Sequence, residues 1–162
     1  MIACELLYIY LRSIQHFHLI LMSDVHSAQV RSYNMSRIRS KNTKPELLVR
    51  KILFSNGFRF RLHRKDLPGK PDIVLSKYNT VIFVHGCFWH GHEGCRYFVV
   101  PKTRTQWWLK KISRNKDLDE TNCAKLRALG WRVIQIYECQ LKKDLCQELE
   151  NLLITEIKRK TI

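Results

Sequence analysis

The sequence predicts an α/β protein in which one domain wraps helices around a mixed sheet. Three observations lead there. With 162 residues and 45% apolar content, the chain is long enough for one real core and short for two. Two β-branched runs, Asp72–Leu75 and Thr80–Val84, lie between long stretches of helical character. The order of elements reads helix, three strands, helix, strand, helix, so the last strand must join the sheet by a crossover.

The first secure helix covers Lys44 to Asn56. Thr43 and Glu46 have capping-box spacing, Pro45 sits in the first turn, and Leu47, Leu48, Ile52 and Leu53 make an apolar face. Gly57 supplies the stop. Phe58 to Leu62 alternates apolar and polar, the pattern of a strand with one wet face, and a basic turn from His63 to Pro71 follows. Ser76–Asn79 separates the two β-branched runs as a hairpin turn. From His85 to Thr105 there is no clear period, only a density of glycine, histidine, cysteine and aromatic residues suited to a site. Gln106 to Leu129 is a charged helix ending at Gly130, Trp131 to Glu138 a strand, and Leu141 to Lys160 a closing helix.

Residues 1–21 are apolar but fit neither an export signal nor a membrane span. Glu5 stands where a basic start is needed, no small-residue cleavage site follows, and Arg12, Gln15, His16 and His18 interrupt the run. Met22 opens a polar stretch that looks like an ordinary N-terminus. The segment reads either as a start-site artefact or as an additional amphipathic helix. The expected division is therefore an extension at 1–21, an N-terminal arm at 22–43 and the main domain at 44–162.

Lysine and arginine number 29 against 14 acidic residues, a formal net charge of +15. Such an excess suits a protein that neutralises phosphates. A membrane surface is the competing partner, but the basic residues are spread along the chain and gather on no amphipathic segment. Nucleic acid is favoured and no membrane partner is expected. Six cysteines without an export signal point to reduced thiols in the cytoplasm, some of them metal ligands.

Three constellations carry chemistry. Cys87, His92 and Cys95 lie within nine residues, and Cys139 follows the last strand. Two thiolates, an imidazole and a further thiolate can close a tetrahedral zinc site, whose binding energy would shape a loop that has no periodic core. Buried cysteines beside a surface histidine are the plainer reading. Pro71-Asp72 opens one strand and His85 ends the next, so Asp72 could hold a hard cation such as magnesium while His85 or His90 removes a proton from water. Taken alone, Pro71-Asp72 is better read as ordinary turn chemistry. Phe88 and Trp89 sit between the metal-ligand candidates, either packed in the core or turned outward as wedges that unstack a base step. Trp107 and Trp108, adjacent at a helix start, are expected to divide between core and rim.

Together, Leu67-Pro-Gly-Lys-Pro-Asp-Ile73, Val81-Ile-Phe-Val-His-Gly-Cys-Phe-Trp-His90, Val100-Pro-Lys-Thr-Arg-Thr105 and Gly130-Trp-Arg-Val-Ile134 with Glu138-Cys139 closely resemble the very short patch repair endonucleases. The match runs from about Met22 to Cys139. The resemblance implies a restriction-endonuclease-like sandwich with a zinc-stapled loop, a minimal relative of the PD-(D/E)XK nucleases. It implies an enzyme that nicks DNA 5′ to the thymine of a T:G mismatch left by deamination of 5-methylcytosine.

By position, the resemblance makes Asp72 the magnesium-binding carboxylate, with the Val84 carbonyl as a further ligand. His90 would be the general base, assisted by His85 and Glu46. Cys87, His92, Cys95 and Cys139 would hold structural zinc. Met35 from the arm, with Phe88 and Trp89, would wedge beside the mismatch. A monomer acting on double-stranded DNA is expected, with a mismatch-repair coupling protein as a candidate partner. The family often has threonine at the place of Val84, and the span His92-Glu-Gly-Cys95 is one residue longer than in the best-known relatives.

Two rival readings share these residues. One is a nuclease of the same fold with another specificity, as in a restriction system; the other is a zinc-stapled DNA-binding module without catalysis. Retention of Asp72, His85 and His90 together argues against the second.

Overall fold

Among the described residues four strands form one sheet in the order β1-β2-β3-β4. The computed structural model describes residues 27–159, so the expectations for residues 1–21 and for Met22 lie outside the described residues. In chain order the elements are α1 (Ala28–Arg37), α2 (Lys44–Ser55), β1 (Arg61–Leu62), β2 (Ile73–Leu75), β3 (Thr80–His85), α3 (Thr105–Ala128), β4 (Arg132–Tyr137) and α4 (Lys143–Lys158). β1, β2 and β3 pair antiparallel, and β4 lies parallel to β3 after the crossover through α3. The mixed sheet and its crossover agree with the expected α/β class. Among the described residues no helix is long and apolar enough to cross a membrane.

Period-two alternation divides the sheet's side chains between two cores. Ile73, Leu75, Ile82 and Ile136 face Val49, Ile52 and Leu53 of α2 and Leu153 and Ile157 of α4. On the other side Val74, Val81 and Phe83 meet Cys123 and Leu126 of α3. Leu53 is fully buried, and truncating it to alanine would cost roughly 2–5 kcal/mol.

α2 begins as its sequence dictates. The Thr43 side chain accepts from the Glu46 amide, the Glu46 carboxylate accepts from the Thr43 amide, and Gly57 adopts φ +80° beyond the last turn. β1 is shorter than expected from Phe58–Leu62. Its partner β2 has only three residues, paired through Arg61↔Val74 and Leu62↔Ile73, and beyond Leu75 the chain turns into a 3-10 helix at Ser76–Tyr78. Phe58 enters the core without a ladder partner. α1 was not expected from the sequence. It is capped by Ser27, whose side chain accepts from the Val30 amide, and it has little apolar periodicity to announce it.

Candidate active site and metal centre

β3 delivers His85 to the end of the sheet, and the chain then makes a series of tight turns. His90 N donates to the Gly86 carbonyl at 3.2 Å and His92 N to the Cys87 carbonyl at 3.0 Å. α3 clamps this loop from outside: Asn115 Nδ2 donates to the Trp89 carbonyl at 2.9 Å. Gly91 is required at the contact. Its φ is +56°, and a Cβ there would meet Ile112 Cγ2 of α3 at 2.8 Å.

The loop brings Cys87, His92 and Cys95 to Cys139, which lies just after β4. One ligand atom from each of the four lies within 4.8 Å of every other, and Cys139 Sγ is 3.3 Å from His92 Nδ1. Burial pushes the Cys87 thiol up to about 12, and the adjacent Cys139 and Cys95 thiols add to the shift. Burial likewise raises Cys139. Three crowded thiols and an imidazole are the donor set of a closed tetrahedral zinc site, so the residues fit that ion.

A cleft of about 650 Å³ opens beside this centre, lined by two further clusters. In the first, Asp72 Oδ2 accepts from the Val84 amide at 2.8 Å. His63 Nδ1 lies 3.9 Å from Asp72 Oδ1, and His63 Nε2 lies 3.8 Å from Glu46 Oε2. Burial raises the pKa of Asp72; the Val84 hydrogen bond opposes this, Glu46 adds to it, and His63 and Arg50 offset part of it. A half-buried carboxylate destabilised in this way gains from a cation, and one with an oxygen left over fits magnesium. Glu46 is buried and heavily engaged. Its Oε2 accepts from Arg50 Nη2 at 2.7 Å and the Asn42 amide at 3.0 Å, and its Oε1 from the Thr43 hydroxyl at 2.9 Å.

The second cluster joins His85 and His90 to a residue the sequence did not single out, Asp119 of α3. His90 Nδ1 is 2.5 Å from Asp119 Oδ2. An ionised carboxylate can only accept, so Nδ1 donates to it and Nε2 is the ring nitrogen left free of this contact. The His85 ring lies 3.9 Å from that of His90, and the Gln135 amide nitrogen is 3.3 Å from His85 Nε2. Burial, joined by the neighbouring His90 and opposed in part by Asp119, brings His85 down to about 4. His85 is therefore neutral near pH 7.

Phe88 and Trp89 join neither core. They pack edge to face at 5.2 Å and share Trp108, at 5.2 and 5.9 Å. Trp89 also lines the cleft. Lys111 Nζ sits 5.2, 4.9 and 5.8 Å from the rings of Trp89, Trp107 and Trp108. Trp107 is on the rim at 52% exposed. Met35 lies partly exposed on α1, outside the cleft's lining, to which the segment after α1 contributes Ile38, Arg39 and Lys41. Lys65 and Lys70 add positive charge to the same walls.

Comparison with known proteins gives a consistent set of relatives. The sequence profile of a family described as DNA mismatch endonuclease Vsr matches residues 23–96. A type II nicking enzyme of Neisseria meningitidis is 51% identical over 138 residues, covering 85% of this chain and 98% of that protein. A type II nicking enzyme of Xanthomonas oryzae pv. oryzae is 53% identical over 120 residues, 74% of this chain and 88% of its own length. The DNA mismatch endonuclease Vsr of Escherichia coli is 45% identical over 121 residues, 75% of this chain and 77% of its own length.

Proposed function

The chain belongs to the family of the DNA mismatch endonuclease Vsr, and from that membership we propose that it is a cytoplasmic endonuclease that nicks double-stranded DNA at a T:G mismatch. The cut falls 5′ to the mispaired thymine and the reaction needs magnesium. The observation that carries this reading is the cleft itself. Its lining brings together the Asp72 carboxylate, the His90–Asp119 pair and basic residues suited to phosphates.

Asp72 would hold magnesium, with the Val84 carbonyl as a further ligand. In an extended strand a residue's N–H and C=O point to the same side, so the amide that binds Asp72 leaves its own carbonyl on that edge. The ion would supply positive charge against the scissile phosphate. His90 Nε2 takes a proton from the attacking water, and Asp119 holds the ring in the required tautomer and stabilises it once charged. Neutral His85 buttresses His90 without repelling that charge. Glu46 anchors Arg50 beside the site and adds negative field around Asp72. Cys87, His92, Cys95 and Cys139 would keep the loop in shape through structural zinc, in a restriction-endonuclease-like sandwich. Phe88 and Trp89, with Met35 from the arm at 22–43, would enter the base stack. The protein would act as a monomer on DNA, with a mismatch-repair coupling protein as partner.

A second reading has a specific support. Two of the relatives are named type II nicking enzymes, so a nickase that cuts a fully paired site is the alternative. Nicking assays on T:G and T:A duplexes of one sequence, with magnesium or with chelator, separate the readings. Magnesium-dependent cutting confined to the T:G duplex is expected. Equal cutting of both duplexes selects the alternative, and binding without cutting removes both.

A further inference from the structure

β4 places Tyr137 directly opposite His85 of β3 in the parallel register. Its ring therefore lies on the α3 face of the sheet, between the metal centre and the cleft. On one side it stacks on His92, with ring centroids 3.9 Å apart and planes 7° from parallel. On the other it meets His85 at 5.6 Å and 45°. His85 in turn tilts against His90 at 3.9 Å and 38°. Four rings thus form an unbroken path from a metal-ligand histidine to the histidine held by Asp119.

The path has one member on the sheet and one on the loop. Tyr137 is fixed by a strand paired along its length, whereas His92 sits between Gly91 and Gly94, both left-handed. The plane of His92 must come from what it binds and what it lies against. Groups that orient a metal ligand from outside act in this way, and close-packed interiors transmit a change of plane to the next ring.

We propose that Tyr137 is a positioning residue, whose ring passes the orientation set by the metal centre at His92 to His85 and His90. The inference rests on the reading above, with zinc at the four-residue centre and His90 as base. The aromatic face is the working part. The hydroxyl is not needed.

The test uses the full chain, zinc-loaded, as wild type, Tyr137→Phe, Tyr137→Leu and Tyr137→Val. Zinc affinity is read by competition with a chromophoric chelator, and kcat and KM by nicking of a T:G duplex at saturating zinc. In Tyr137→Leu and Tyr137→Val, zinc affinity and kcat should each fall roughly 10–100-fold, the usual effect of losing an outer-shell partner, with KM for DNA unchanged. Tyr137→Phe should match wild type in both. Loss of zinc affinity with unchanged kcat overturns the coupling, as does loss in Tyr137→Phe equal to that in Tyr137→Leu. Failure of both non-aromatic variants to fold assigns the ring to stability alone and also overturns it. A wild type that binds no zinc or does not nick removes the underlying reading instead, and the two failures are thereby distinguished.

Discussion

Asp119 Oδ2 lies 2.5 Å from His90 Nδ1, across the gap between helix α3 and the loop that leaves β3. Both groups are about three-quarters buried in side-chain terms, at 25% exposed each. Water competes weakly for the contact, so the pair fixes the orientation of the His90 ring.

Replacing Asp119 with asparagine should therefore lower kcat by roughly 10²–10⁴, the usual contribution of a positioned general base. DNA affinity should persist, because it rests on many phosphate contacts. Single-turnover nicking beside a binding titration checks both. A wild-type rate in the variant would remove the dyad from the mechanism.

Asp72→Ala should abolish nicking and leave DNA affinity close to wild type. Its stability carries a sign that can be checked. Burial holds the folded-state pKa of Asp72 above its unfolded value, so the ionised carboxylate destabilises the fold above that pKa. The cost fades as pH falls through the folded pKa toward the unfolded one. In magnesium-free buffer Asp72→Asn, which can still accept from the Val84 amide, should melt at or above wild type at neutral pH, with the gap narrowing on acidification. A variant that melts below wild type at neutral pH, or whose advantage over wild type grows on acidification, would contradict this.

Zinc should copurify at about one ion per chain, since the four donors complete one tetrahedron. Cys139→Ser should lower the melting temperature as well as the activity, because ion binding contributes folding energy. Elemental analysis of freshly reduced, active protein decides it, and absence of zinc would end the idea.

Trp89 packs on Phe88 and Trp108 beside the cleft, outside both cores. Trp89→Ala should weaken discrimination between T:G and T:A duplexes more than non-specific affinity, since unstacking is easier at a mispair. A core role instead predicts a stability loss of about 3–5 kcal/mol with specificity intact. A melting curve and paired nicking rates at fixed salt tell the two apart.

Much of the fold was legible locally. The capping box of Thr43 and Glu46, the β-branched runs of β2 and β3, and the left-handed Gly57 and Gly130 are short-range signals, and each marks an element where it stands. The donor set Cys87, His92 and Cys95 was legible for the same reason, since all three lie in one loop, and Cys139 could be added because it ends a strand. The length of β1 was not, because it depends on where β2 turns away. α1 was missed because it is held by its Ser27 cap with little apolar stripe.

The amino-acid sequence by itself determined the order of the elements from α2 onward, the excess of positive charge, the spacing of Cys87, His92 and Cys95 and the family resemblance, all of which depend on residue type and nearby position. Only the tertiary structure decided which distant groups meet. Asp119 lies in a charged helix among other acidic residues, with nothing in its neighbours to mark it, and it reaches His90 because α3 packs across the same face of the sheet. His63 comes beside Asp72 through the β1–β2 pairing, and Tyr137 comes between His92 and His85 through the parallel register of β3 and β4. Periodicity specifies which way a residue faces along its own element; the partner it finds there is set by how the elements pack.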